Sequence, residues 1–471
     1  MPAHRYDLAI IGGGSAGLTA AKVGRFFSKR VALIDKERLG GDCLYYGCVP
    51  SKALIKAARV MHEVKTAARW GLNLSGMEVS LGAVNGRVQH AIAEVARIDS
   101  EASLRGIGVD LFLGGARFVN EHTIRTGRGE TIRAKRILIA TGSRAAVPEL
   151  PGLTEAGYWT NEDVFDLSAL PRRLAVLGGG PIGVELAQAF RRLGSEVTVI
   201  QRGPHLIPRD DADMIAILEK AFADEGIDVR YNAEAAAVHV EGTEKVVALA
   251  DGGEVRADAL LIAVGRAPNL EGLDLKKAGV AFTRKGITVN ARLQTSRSHI
   301  YAAGDVVGGP LFTHYAGHQA AQAVRNALLP IKLAFAPGTL PWVTFTDPEI
   351  GHVGLTEAEA KRAGKDCTVV RFPYTKLERA VTDQDATGLM KFLIDDKRRI
   401  IGAHIAGMAA GEMINELTLA MTNDLTVDKI IGTMHAYPTY SFGLPIALYD
   451  YALNDAPSIA AKVGRFLSRL T

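Results

Sequence analysis

Cys43 and Cys48 lie in the stretch GGDCLYYGCVPSK (40–52), with four residues between them and behind paired glycines, with only one other cysteine in 471 residues. Three cysteines in a chain of this length do not build a disulfide framework, which implies a reducing, cytoplasmic setting. A bond between the two would then serve electron exchange rather than structure; the plainer reading is two small buried residues beside a glycine turn. A regular helix sets residues i and i+5 about 7.5 Å apart along its axis, whereas disulfide Cα atoms lie within about 7 Å. The backbone between them must therefore leave ideal helix, and Gly47 makes that cheap. Pro50 suits a helical first turn, and residues 51–69 continue with helical periodicity. Cys48 thus falls near a helix N-terminus, where a thiolate is favoured, and Lys52 adds positive charge on the same side.

Such a pair needs a partner that carries electrons, and the flanking sequence supplies a place for one. Residues 6–35 and 173–201 echo each other: apolar strand, G-x-G-x-x-G loop, amphipathic helix, second apolar strand. The loop glycines are Gly12, Gly14 and Gly17, then Gly178, Gly180 and Gly183. Glycine there allows a tight turn, close backbone approach to a pyrophosphate, and close packing of helix on strand. The helix N-terminus then faces the phosphates. Counting 23 residues from each first glycine reaches Asp35 and Gln201. A carboxylate at the first position suits ribose hydroxyls. The second has lost that carboxylate and gained Arg202 beside it, which favours NADPH with NADH as the alternative. ILIATGS (137–143, with Thr141 and Gly142), LLIAVGRAPN (260–269, with Gly265) and IYAAGDVVGG (300–309, with Gly304 and Asp305) read as buried strands ending in glycine turns. Asp305 is placed to accept from the hydroxyls of a flavin's ribityl chain. The helix beginning at THYAGH (313–318) would stabilise negative charge on a reduced flavin ring; His314 and His318 in its first turn are assigned no chemistry.

These motifs together resemble the class I pyridine nucleotide-disulfide oxidoreductases, a group that includes dihydrolipoamide dehydrogenase, glutathione reductase and mercuric reductase. The resemblance spans essentially the whole chain and implies FAD in the first fold, NADPH or NADH in the second, and a C-terminal dimerisation domain opening at TFTDPEIGHVGLTE (344–357). It implies a homodimer whose active sites borrow C-terminal residues from the partner subunit. It also implies that Cys48 is the thiolate lying against the flavin, that Cys43 meets substrate, and that Lys52 pairs with Glu185. Electrons would pass from NAD(P)H through the flavin to a Cys43–Cys48 disulfide and on to an acceptor.

The chain departs from the disulfide-reducing pattern in its C-terminal acid-base segment. Disulfide-reducing members carry His-x-His-Pro-Thr followed by Ser-Glu, in which the second histidine is the acid-base and the glutamate orients it. Here the segment is HAYPTYSF (435–442): His435 stands, but Tyr437 and Phe442 replace both halves of the dyad. Splitting a disulfide expels a thiolate, and acid-base help at that step is worth about 100- to 10,000-fold. Tyrosine, with an ordinary pKa of about 10, matches that task poorly. Reduction of a soft metal ion such as Hg(II) needs no such proton, and mercuric reductases resemble this chain in carrying tyrosine there. The alternatives are a small disulfide or dithiol as substrate, and a redox-sensing flavoprotein with little turnover. His435 reads as a structural hydrogen-bonding residue and Cys367 as a small buried one.

The expected fold is α/β, with two Rossmann-like dinucleotide-binding domains and a C-terminal α+β dimerisation domain. The ranges are 1–150 with 271–340 for FAD, 151–270 for NAD(P), and 341–471 for the interface. A net charge of +4 and the lack of a Lys/Arg block give no pull toward nucleic acid. No run of 18 apolar residues occurs, so no membrane span is expected. No resident metal is expected, only a substrate metal at Cys43 and Cys48. The tail after Phe442 is helical in pattern with a basic end, and reads as packing against the dimer.

Overall fold

The computed structural model describes residues 4–336 and 338–455. Two compact units emerge: Met1–Arg202 with Val229–Pro337, and Gly203–Asp228 with Gly338–Thr471.

The first unit is built on β1 (His4–Ile11), α1 (Ser15–Phe26) and β2 (Val31–Asp35). β1 runs parallel to β2 on one side and to the strand Thr131–Ile139 on the other, with Ile11 opposite Ile34 and Ile139. Val109–Leu113 continues the parallel sheet beyond β2, and Ile300–Ala302 pairs with Thr131–Ile139. Parallel strands are covered on both faces and therefore read as continuous apolar runs. VALID and the LAII end of β1 do so, and their core residues are buried. A second parallel sheet repeats the plan. Arg173–Leu177 lies between Glu196–Ile200 and Ala259–Ile262, and the helix Pro181–Leu193 follows its loop. An antiparallel meander of three strands, spanning 235–257, extends this half.

The second unit is an antiparallel sheet of five strands, in the order 341–344, 349–354, 400–407, 389–394, 368–373. The helix Ala410–Thr422 packs its apolar side, including Met413, Ile414 and Leu417, into the core. Register places Trp342, His352, His404, Lys391 and Arg371 side by side across all five strands. Lys391 Nζ, whose side chain is 2% exposed, lies 2.7 Å from Asp211, 2.8 Å from Asp213 and 2.7 Å from Glu357. Burial opposes its charge, but the three carboxylates outweigh that and hold the ammonium protonated. Trp342 Nε1 donates to Asp210 at 2.9 Å, and its ring stacks on His352. Residues 203–228, within the stretch read from sequence as nicotinamide-binding, belong to this unit because their acidic turn meets that polar row.

Cys367 corrects one expectation. It is half-buried rather than buried, at the end of an exposed stretch before the strand Thr368–Pro373. The tail helix runs Gly443–Asp455, and the basic end expected beyond it lies outside the described residues.

Candidate active site

The paired glycines before the cysteines are explained by what they touch. Gly40 N donates to Gly13 O at 2.8 Å, and a Cβ on Gly41 would come within 2.7 Å of the Gly14 Cα. The cysteine segment therefore starts flush against the first nucleotide loop. It forms a short helix, α2 (Gly41–Tyr45), and then α3 (Cys48–Lys65). Tyr46 and Gly47 leave helical geometry between them, with Gly47 at φ −121° and ψ −116°. Cys48 is thus the first residue of an 18-residue helix. Both thiols are free, Cys43 half-buried and Cys48 exposed.

Their acidities are split. Cys48 is pushed down to about 6, first by the hydrogen bond from the Cys43 thiol. Partial desolvation of the sulfur opposes this shift, while the Thr313 hydroxyl, 3.5 Å from Cys48 Sγ, and the Lys52 charge reinforce it. Cys43 is pushed up, because it spends its proton on Cys48 and because it is partly desolvated. The first proton to leave therefore comes from Cys48. Lys52 Nζ donates to Glu185 Oε2 at 2.8 Å. Glu185, in the helix Pro181–Leu193, is buried, and its charge is matched by this half-buried cation.

The two loops are near copies. Gly12 and Gly178 have φ of 108° and 113°, and a Cβ at either would lie 2.3 or 2.4 Å from a carbonyl oxygen of the neighbouring strand end, Ala140 or Ala263. Gly14 and Gly180 cap their helices without a side-chain acceptor. A helix start left open in this way suits a phosphate. Asp35 Oδ2 accepts from Gly13 N at 2.6 Å, and Gln201 Oε1 accepts from Gly179 N at 3.0 Å. Asp35 also accepts from the backbone N–H of Glu37 and Arg38, and Arg202 is exposed.

Around the expected flavin turns, Thr141 Oγ1 donates to Asn269 O, and Asn269 Nδ2 returns a bond to Thr141 O. Arg266–Pro268, just after Gly265, pairs antiparallel with Ser143–Ala145, just after Gly142. Asp305 accepts from Ser143 Oγ at 2.5 Å, which accepts in turn from Arg266 Nε at 2.7 Å; Arg266 Nη2 reaches Asp42 at 2.9 Å. Burial raises the Asp305 carboxyl, while Ser143 and Arg266 act against that rise. Gly304 N donates to the buried Gln319 side chain. Glycine cradles that a methyl would fill, an uncapped helix start and a hydroxyl-bearing polar chain around Asp305 fit a dinucleotide flavin. Ser143, Arg266 and Asp42 were not singled out from sequence, although each stood within a quoted stretch, ILIATGS, LLIAVGRAPN and GGDCLYYGCVPSK.

In the second unit, the Tyr437 ring is 64% exposed and meets the Phe442 ring edge-on at 5.2 Å. His435 Nε2 lies 2.7 Å from Glu416 Oε1, and its Nδ1 lies 2.8 Å from Thr433 O. Glu416, 19 residues upstream in a helix, gave no sequence signal as its partner.

The family description "Pyridine nucleotide-disulphide oxidoreductase" matches residues 6–320, and the dimerisation domain of the same family matches residues 340–445. The chain belongs to the class I pyridine nucleotide-disulfide oxidoreductases. It is 36% identical to a mercuric reductase of Bacillus cereus, over 95% of this chain and 72% of that protein. It is 38% identical to a dihydrolipoyl dehydrogenase of Thermus scotoductus, over 93% and 96%. Among solved structures, the Cu(II) complex of the HOCl-induced flavoprotein disulfide reductase RclA from Escherichia coli superposes with a TM-score of 0.86 at 30% identity, covering 95% of this chain and 99% of that one. As a member of this family the protein is an FAD-dependent oxidoreductase that uses NAD(P)H, and its dimerisation domain supports a homodimer. Among the described residues no helix is long and apolar enough to cross a membrane.

Proposed function

We propose that this oxidoreductase uses Cys43 and Cys48 to bind and reduce a soft metal ion, Hg(II) above all, in preference to splitting a small disulfide. The observation that carries the reading is the C-terminal segment. The Tyr437 and Phe442 rings meet edge-on, and both nitrogens of His435 are engaged by Glu416 and Thr433. Phe442 carries no proton to give, and both nitrogens of His435 are already bonded to groups of its own unit. A thiophilic ion needs only the sulfurs, and the split acidity supports this: Cys48 carries charge at neutral pH, while Cys43 gives up its proton when metal displaces it. The net change is NADPH plus Hg(II) to NADP⁺, a proton and Hg(0).

Bound FAD supplies the two-electron relay between the nicotinamide and the sulfurs. Gly12, Gly14, Gly17 and Asp35 would hold its nucleotide end, with Thr141, Gly142, Gly304 and Asp305 along its length. Lys52, ion-paired with Glu185, places a cation beside the Cys48 sulfur. Gly178, Gly180, Gly183 and Gly265 would receive the second dinucleotide. Gln201 braces that loop and leaves Arg202 exposed for a 2′-phosphate, which favours NADPH over NADH.

The test is NADPH and NADH oxidation by purified protein across Hg(II), Cu(II), oxidised lipoamide, glutathione disulfide and quinones. Turnover with Hg(II) that exceeds lipoamide turnover and is lost in Cys43→Ser supports the reading. Lipoamide turnover equal to that of a relative with the full His-Glu dyad sinks it in favour of the disulfide substrate. Negligible oxidation with every acceptor points instead to a sensing role.

A further inference from the structure

We propose that the exposed sheet face bearing Arg5, Arg117, Arg125 and Arg133 is a docking surface for an acidic, extended segment of a partner protein, whose carboxylates pair with the four guanidiniums. The inference goes beyond the redox reading and does not depend on which acceptor the thiols reduce.

Strand register builds the face. Arg5 of β1 stands opposite Arg133 of the strand Thr131–Ile139. Thr123–Thr126 and Ala116–Asn120 extend the sheet antiparallel beyond that strand. Arg133 stands opposite Thr123, Arg125 opposite Thr131, and Arg117 opposite Arg125. Successive side chains of a strand point to opposite faces. The alternate positions Tyr6, Phe118, Ile124, Ile132 and Ala134 are buried together in one core, so the arginines share the other face, and all are exposed. Among the described residues, none of these four guanidiniums forms an ion pair or a hydrogen bond. The acidic groups nearby are already engaged. Asp7 pairs with Lys135 at 2.9 Å, and Glu130 accepts from the Thr126 hydroxyl, with Arg128 and His4 close by. Drawn from four strands, the arginines form no block in the sequence.

Like charges directly opposite each other across strands are destabilising, and Arg5 with Arg133 and Arg117 with Arg125 stand in that relation. The whole chain has a net charge of only +4, so unneutralised arginines on one face hold a disproportionate share of its positive charge. An anionic partner removes the repulsion, and the paired donors of guanidinium suit carboxylate or phosphate. The surroundings choose between them. Single-stranded nucleic acid needs aromatic rings on which to stack its bases, whereas Thr123 and Thr131 fill the gaps between these arginines. A flat sheet face does not enter a duplex groove. The same threonines give a membrane no large apolar side chain to take up. The backbones of each arginine pair lie about 5 Å apart, and Arg133 lies about 7–8 Å from Arg125 on the diagonal. An extended polypeptide repeats its side chains on one side every ~7 Å, which matches these steps.

The experiment is fluorescence anisotropy of a labelled poly-glutamate peptide titrated with the holoenzyme at low salt. An oligo(dT) of equal length and vesicles of mixed phosphatidylserine and phosphatidylcholine are the competing probes. The variants are Arg5→Gln with Arg133→Gln, and Arg117→Gln with Arg125→Gln. Lys361→Gln with Lys365→Gln removes the same charge from exposed positions elsewhere in the chain. The expected result is that the native protein binds the peptide, that added salt weakens binding, and that either arginine pair loosens it by about tenfold or more. The lysine control binds as the native protein does. Flavin content, NADPH oxidation and the urea midpoint are not reduced in any variant. Failure of the native protein to bind the peptide overturns the proposal, as does equal binding by the arginine variants. An equal loss in the lysine control also overturns it, by reducing the effect to net charge. Tighter binding of oligo(dT) or of vesicles than of peptide overturns it in favour of that other partner, and a lowered urea midpoint in the arginine variants overturns it in favour of a role in the fold.

Discussion

A Cβ on Gly17 would meet the Gly12 carbonyl oxygen at 1.8 Å, and a Cβ on Gly183 would meet that of Gly178 at 1.9 Å. Down to the side-chain acceptor that braces each loop, Asp35 or Gln201, the two nucleotide folds are the same device. They differ in what the chain does next. After Asp35 it turns back within five residues, and Gly40 and Gly41 seat the cysteine helices directly on the loop. After Gln201 and Arg202 it leaves for residues 203–228, which pack on the C-terminal sheet through the Lys391 carboxylate cluster. One loop is therefore coupled by contact to the thiols, while the segment that follows the other is fixed by charge. The lesson is that one motif acquires its role from the strand end and the turn behind it.

The largest effect is expected where the second excursion is fixed. Lys391→Met leaves Asp211 buried without its cation and should destabilise the protein by about 3–5 kcal/mol in urea unfolding. A loss near zero would mean that apolar packing, not charge, holds residues 203–228. Next, a methyl at either third glycine should separate the two loops. Gly17→Ala should yield protein poor in flavin. Gly183→Ala should keep its flavin and raise KM for NADPH by about one to two orders of magnitude. Equal flavin loss in both would erase the assignment of one loop to each cofactor.

Acid stability comes third. His352 is held down to about 2, by burial first and by its neighbour His404, with Arg209 adding to the same effect. It stays neutral in the fold but takes a proton in the unfolded chain below its ordinary 6.5, so its contribution is lost as pH falls from there. Asp210, which burial pushes up to about 7, works in the opposite sense, its contribution being full below 3.8 and lost as pH rises through about 7. His352→Phe, still able to stack on Trp342, should flatten the acid loss by up to about 1.4 kcal/mol per pH unit. An unchanged urea midpoint slope between pH 6.5 and 5 would contradict this. The smallest effect belongs to the exposed Arg202. Arg202→Ala should raise KM for NADPH about fivefold and leave NADH alone. Equal changes for both cofactors would mean that Arg202 does not read the 2′-phosphate.

Much of this was legible because the repeats are local. Strand, loop, helix and strand follow one another within about thirty residues, so spacing alone located Gly12 to Asp35 and Gly178 to Gln201. The kink between Cys43 and Cys48 was legible because disulfide geometry and helix pitch conflict. Thr313 beside Cys48, Ser143 beneath Asp305, Glu416 on His435 and the row from Trp342 to Arg371 were not. Each joins residues distant in sequence through sheet register or converging helices, which no local spacing encodes. Cys367 was misread because a lone cysteine is commonly buried, whereas the polar stretch before it already marked an exposed turn.

The account stands on reducing equivalents from the pyridine nucleotide reaching the two sulfurs of one chain. The direct measurement is anaerobic incubation of the oxidised holoenzyme with NADPH, followed by alkylation and mass mapping. The account predicts two new labels per chain, on Cys43 and Cys48, with none on those residues when NADPH is omitted. Labels that appear only with a chemical reductant such as dithiothreitol, while NADPH is consumed without exposing either thiol, would contradict it.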